Sequence, residues 1–277
     1  MANKYQRIVD LMLKAMEDEA TWRKTWQSQS RLHCNWISKR PYTGSNQMTT
    51  MIAGAVHGYT CPYWVTYQQA VQLGGNVKGQ KATPAIFMGK GVDRDDPEKS
   101  YKFAKVYNIF NLEQIGIEIP EPQPLRESNA EPVPIPDAIQ VKVDFQSQHN
   151  PSYSPTTDII KMPFVNQFDD DESFQSTLLH ECIHATGHSK RLDRKLSVSF
   201  GSEDYAKEEL VAELGSVFLC AELGIKYDVQ QHASYLSSWQ KAIKDDDRYV
   251  VTAAAAAQKA VQYCMSQLDL MRQHEAA

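Results

Sequence analysis

Thr177-Leu178-Leu179-His180-Glu181-Cys182-Ile183-His184-Ala185-Thr186-Gly187 carries the spacing His-Glu-x-x-His. On a helix, four residues advance the side chain by about 400°, so His180 and His184 stand roughly 40° apart on one face and are able to share one metal ion. Glu181 lies about 60° beyond His184 on the same side. Zinc accepts imidazole nitrogen, and a catalytic ion keeps three protein ligands plus a water whose pKa falls to about 7; Glu181 is placed as the general base for that water. Phe174, Leu178, Leu179, Cys182 and Ile183 fall on the opposite arc, which predicts a helix docked on a core with its other face toward a cleft. Asp169-Asp170-Asp171-Glu172 supplies N-cap residues and first-turn negative charge, and Gly187 supplies the stop.

A third ligand has to come from elsewhere. The segment from Tyr205 to Glu222 predicts a second helix with Leu210, Leu214, Val217, Phe218 and Ala221 on one stripe. Glu209 and Glu213, one turn apart, offer one carboxylate for the metal and one to brace a ligand histidine. Zincins of the glutamate type resemble this arrangement, with the first Glu on the metal and an acidic residue four positions later behind a histidine. On that pattern Glu209 is the ligand and Glu213 the brace, and the reverse assignment stays open because Glu213 lies closer to the apolar stripe. His188 is a rival third ligand, disfavoured by the helix break at Gly187, while Glu208 and Glu222 read as solvated helix charges.

The 277 residues are enough for two domains, and 42% hydrophobic with 23% charged residues is ordinary for a soluble globular chain. No signal segment or apolar run of membrane-spanning length occurs, which predicts a cytoplasmic protein with no membrane partner. The cysteines Cys34, Cys61, Cys182, Cys220 and Cys264 are scattered without a Cys-x-x-Cys pair and read as free thiols. A net charge of −5 conceals an asymmetry: residues 1–117 hold 15 Lys and Arg against 9 Asp and Glu, and the remainder holds 14 against 25. From Ala20 to Val92 there is no acidic residue at all. The same stretch has the cations Arg23, Lys24, Arg31, Lys39, Arg40, Lys78, Lys81 and Lys90, and four of the five tryptophans. Cations track phosphates and aromatic faces stack bases, so this composition points to single-stranded nucleic acid. The candidate contacts are Trp22, Arg23, Lys24, Lys39, Arg40, Tyr42, Asn46, Trp64, Lys78 and Lys81.

Along the chain, helices are expected over 3–19, 47–58 and 66–73, and strands over 85–88 and 105–111. The glycine-rich basic loop Gly74 to Lys81 matches no nucleotide-binding fingerprint, and contact with a phosphate backbone is the better reading. Six prolines between Ile119 and Asp137 mark a linker, giving domains over 1–118 and 138–277. Beyond it a strand over 141–145, a hairpin over 153–163 and a final alanine-rich helix over 252–268 follow. Asp158 to Met162 is a candidate edge strand for aligning a substrate backbone, and Tyr235 reads as packing, with assistance to an oxyanion as the alternative.

These residues resemble the ArdC family of antirestriction proteins, whose first domain is similar to that of TraC-type plasmid primases. The resemblance rests on Trp22, Asn35, Tyr42-Thr43-Gly44-Ser45-Asn46, Trp64 to Ala70, Gly74 to Gly79 and Val106 to Asn111. In the second half it rests on His180-Glu181-x-x-His184-x-Thr186-Gly187, Arg191-Leu192-Asp193-Arg194, Tyr205 to Glu213 and Tyr235-x-x-Ser238-Trp239. It implies an α+β protein: a mixed α/β domain binding single-stranded DNA joined to a zincin-like metallopeptidase domain, protecting incoming plasmid or phage DNA from host restriction. Zinc is the implied ion, another divalent transition metal the alternative, and a host restriction component is a candidate protein substrate. The competing reading is a non-enzymatic strand-coating protein whose metal site is structural or vestigial.

Overall fold

The computed structural model describes residues 5–17, 19–27, 31–92, 96, 98–119, 133–147, 150–196, 202–227 and 235–276, with the side chains of 19, 21, 24 and 27 outside that description. The first half opens with α1 (Gln6–Ala15) and α2 (Glu19–Gln27), which pack on α3 (Ser45–His57). The helix expected over 3–19 is the shorter α1, and α2 begins where it was expected to end. A four-stranded sheet follows in the order β1 (Cys34–Asn35), β2 (Tyr63–Thr66), β4 (Ser100–Asn111), β3 (Thr83–Val92), with α4 (Tyr67–Gln72) on the β2 side. α4 starts on a capping box, Thr66 accepting from the Gln69 N–H and Gln69 reaching back to the Thr66 N–H. β3 and β4 pair residue for residue from Thr83↔Ile109 to Val92↔Ser100, a ribbon far longer than the expected strands.

Of the proline-rich stretch, residues 120–132 lie outside the described residues. Its end is packed rather than extended: Val133, Ile135 and Pro136 are buried and α5 (Ile135–Ala138) forms with Pro136 in its first turn, where proline gives up no helical hydrogen bond. A three-stranded sheet comes next, in the order β5 (Lys142–Phe145), β7 (Ile159–Met162), β6 (Ser152–Ser154), with β5 parallel and β6 antiparallel to β7. The segment Asp158 to Met162 is therefore central, and the edge beside the helix described next is β6. Strand order depends on pairings remote in sequence, which alternation alone does not report.

α6 (Asp171–Thr186) carries the His-Glu-x-x-His spacing; its N-cap, Asp170, accepts from the Ser173 N–H at 2.7 Å. α7 (Glu203–Leu223), α8 (Leu236–Asp245) and α9 (Tyr249–Glu275) complete the fold. α9 packs on α3, α5, α6, α7 and α8, its alanines Ala253, Ala254, Ala257 and Ala260 letting the neighbours approach closely. One continuous core joins both halves: Trp22 meets Trp239 with ring centroids 5.6 Å apart, and Gln258 accepts from the Gly44 N–H at 2.9 Å. Among the described residues no helix is long and apolar enough to cross a membrane.

Candidate metal centre

α6 and α7 lie closely together because residue 215 is glycine; a Cβ there would meet Ile183 Cγ2 at 2.7 Å. That closeness brings three donors to one point. His180 Nε2 and His184 Nε2 are 3.2 Å apart, and the Glu209 carboxylate stands 3.7 Å from the first and 3.6 Å from the second. Two donors about 2.1 Å from a tetrahedral ion lie about 3.4 Å apart, so the spacing and the nitrogen and oxygen donor set suit one divalent cation. Among the described residues His180, His184 and Glu209 are the group that meets this requirement. His188 sits past the end of α6 with its Nδ1 3.9 Å from Asp158, away from the three.

Glu181 is buried, and burial, assisted by the charge of Glu209, pushes its carboxyl up to about 7 against the pull of His184 and a hydrogen bond from the Tyr153 N–H of β6. Burial also raises Glu209, but His184 and His180 outweigh it and hold that carboxyl well below the usual range. Tyr205 hydrogen-bonds Glu209, and the Tyr235 hydroxyl lies 3.5 Å from that of Tyr205 while its ring stacks on Trp239, so packing and a place near the site coincide in Tyr235.

The carboxylate behind His184 is Glu208, which the sequence reads as solvated. It is buried, with Oε1 3.4 Å from His184 Nδ1 and both oxygens taking Arg194, at 2.6 Å from Nη2 and 3.1 Å from Nε. Arg194 is fixed in turn by Thr186 Oγ1 and the Ile183 carbonyl at 2.7 and 2.8 Å. α7 is buried at every position from Glu208 to Ala221, since α6 and α9 cover it, so no polar face exists for Glu208 to occupy. The available signal was the Arg191-Leu192-Asp193-Arg194 segment, whose Arg194, ten residues past His184, needs an acidic partner. Glu213 is fully buried and accepts from Tyr227 Oη at 3.1 Å. Glu222 is exposed, as expected. Gly187 ends α6 with φ −74°, so its role is a close approach: a Cβ would meet Leu196 Cδ2 at 2.6 Å.

The expected nucleic-acid contacts divide. Trp22 and Trp64 are fully buried, the first against Trp26 and Trp239, the second with its N–H donated to His33 Nδ1, so neither has a face for a base. Asn46 is bound on both sides to the Ile86 backbone at 2.7 Å and pins α3 to β3. Tyr42 is half-buried against the Trp64 cluster, and Arg23 is half-buried in α2. Lys39, Arg40, Lys78 and Lys81 are exposed, Lys39 over the Trp36 ring, and the Lys24 side chain lies outside the described residues.

The helix pair and its convergent donors define a zincin-like metallopeptidase domain, and residues 134–256 match the family of that description. Residues 2–110 match the N-terminal domain of the anti-restriction factor ArdC. The metal-free crystal structure of the antirestriction protein ArdC from plasmid R388 is 35% identical and aligns with a TM-score of 0.79 over 96% of this chain and 97% of that one. Its Mn(II)-bound form is 33% identical, with a TM-score of 0.77 over 96% and 98%. The uncharacterised protein y4eC of Sinorhizobium fredii is 31% identical over 98% of this chain and 94% of its own. A DNA primase TraC of Escherichia coli is 34% identical over 89% of this chain and 19% of its own length, a likeness that extends past the first half. The chain belongs to the ArdC family of antirestriction proteins.

Proposed function

We propose that this protein binds single-stranded DNA through its first half, residues 1–118, and hydrolyses a peptide bond in a protein met on that DNA, such as a host restriction component, through residues 138–277, with 119–137 between them. Its place of action is the cytoplasm of the cell receiving plasmid or phage DNA. The observation that supports the enzymatic reading best is Glu181 beside the His180, His184 and Glu209 donors: a purely structural metal site has no use for a buried carboxylate of pKa about 7. His180, His184 and Glu209 would hold the ion, zinc being expected and Mn(II) having been seen in the R388 relative. When bound, such an ion supplies Lewis-acid polarisation and an acidified water. Glu181, oriented by the Tyr153 N–H, accepts a proton at its carboxylate and returns it to the departing amine. Strand β6, at the sheet edge and packed on α6, is the backbone on which a peptide would align. The phenol of Tyr205, hydrogen-bonded to Glu209, and that of Tyr235 beside it are the donors assigned to the oxyanion in this reading.

The test is cleavage of purified restriction subunits, with and without single-stranded DNA, by the wild type and Glu181→Gln. The variant is expected to keep its metal and lose cleavage by about 10²–10⁴-fold. Equal cleavage by both removes the general-base role, and full protection of DNA in cells by Glu181→Gln would leave strand coating as the whole function.

A further inference from the structure

We infer that the outer half of the β3–β4 ribbon is the surface on which single-stranded nucleic acid stacks its bases; this rests on the strand-binding part of the function proposed above. Directly opposed residues of an antiparallel pair share a face, so Phe87, Phe103 and Tyr101 stand on one side, opposite Lys105, Gly89 and Gly91. All three rings are exposed, at 54%, 38% and 54%. Their centroids follow at 6.0 Å from Phe87 to Phe103 and 6.3 Å from Phe103 to Tyr101, a row of separate aromatic faces rather than a closed cluster.

The two glycines explain the pose of the rings. A Cβ on Gly89 would lie 2.5 Å from Phe103 Cζ and 2.9 Å from Phe87 Cε1, and one on Gly91 would lie 2.6 Å from Tyr101 Cζ. Phe103 and Tyr101 therefore lie flat across bare backbone and turn their π-faces outward. Lys105, paired with Phe87, shares their face, Lys90 and Lys102 pair with each other on the opposite face, and neither strand contains an acid. A phosphate backbone lying along the strands therefore meets positive charge without a competing strand acid. Three exposed rings with Lys105 on the same face suit an unpaired strand of any sequence.

The experiment measures binding of a labelled oligothymidylate by the full chain, wild type and variants, with thermal melting as the fold control. Phe103→Ala and Tyr101→Ala are expected to weaken binding about tenfold each, Phe103→Trp to retain it, and Gly89→Ala to weaken it by displacing the ring without removing it. Wild-type binding unchanged in all three weakening variants would overturn the ribbon while leaving strand binding intact. No binding by the wild type would overturn both readings.

Discussion

Aromatic side chains serve opposite ends in two parts of this molecule. Trp22, Trp26, Trp64 and Trp239 have no exposed surface, Trp22 meeting Trp239 across the two halves and Trp64 packing α3 on the first sheet, whereas Phe87, Tyr101 and Phe103 cover a thin ribbon and face solvent. The difference is what surrounds each ring: buried neighbours from packed helices and strands around the tryptophans, and a glycine backbone under Phe103 and Tyr101. Ring chemistry alone does not separate a stabilising contact from a recognition contact; what surrounds the ring does.

Substituting the buried class should unfold the protein before it touches binding. Trp22→Ala is expected to cost about 3–5 kcal/mol in urea denaturation, and a stable Trp22→Ala with weakened strand binding would break the distinction between the two classes. The same distinction applied to charge predicts a pH effect at Glu181, the buried carboxyl. Its folded value, about 7, stands above the ordinary 4.5, so its contribution to stability is present below pH about 4.5 and is lost as pH rises through about 7. Relative to Glu181→Gln, the metal-free wild type should lose on the order of 3 kcal/mol across that window; parallel urea curves at both ends would show Glu181 to be solvated. The smallest effect concerns Glu208, whose replacement by Ala should weaken metal retention about 10–100-fold by freeing the His184 ring. Equilibrium dialysis showing no change would return Glu208 to the solvated class.

The convergence of donors was legible because a short spacing on one helix sets most of it: His180 and His184 need no tertiary information to share a face, and Glu209 needed only a neighbouring helix with a carboxylate. Glu208 was not, since its burial depends on α7 packing on α6 so that His184 and Arg194 close over it. Trp22 and Trp64 show the limit of composition, which reported an aromatic, acid-free segment correctly and could not say which rings point outward. Phe87 belonged to that segment, while Tyr101 and Phe103 lie beyond the acidic residues that end it in the sequence. The ribbon's length escaped prediction because Gly89 and Gly91 weaken strand propensity while the rings laid over them restore the lost packing.

Helix α9 leaves the ribosome after every other element described, yet it backs both helices of the metal centre and reaches α3 in the first half. Until its alanines emerge, the apolar backs of α6 and α7 have no partner, and the close contact that lets Glu209 reach the histidines has no support from behind. Synthesis order thus makes completion of the metal-binding geometry a late event, and a nascent chain halted before residue 249 holds the ligands without the clamp that sets their distances.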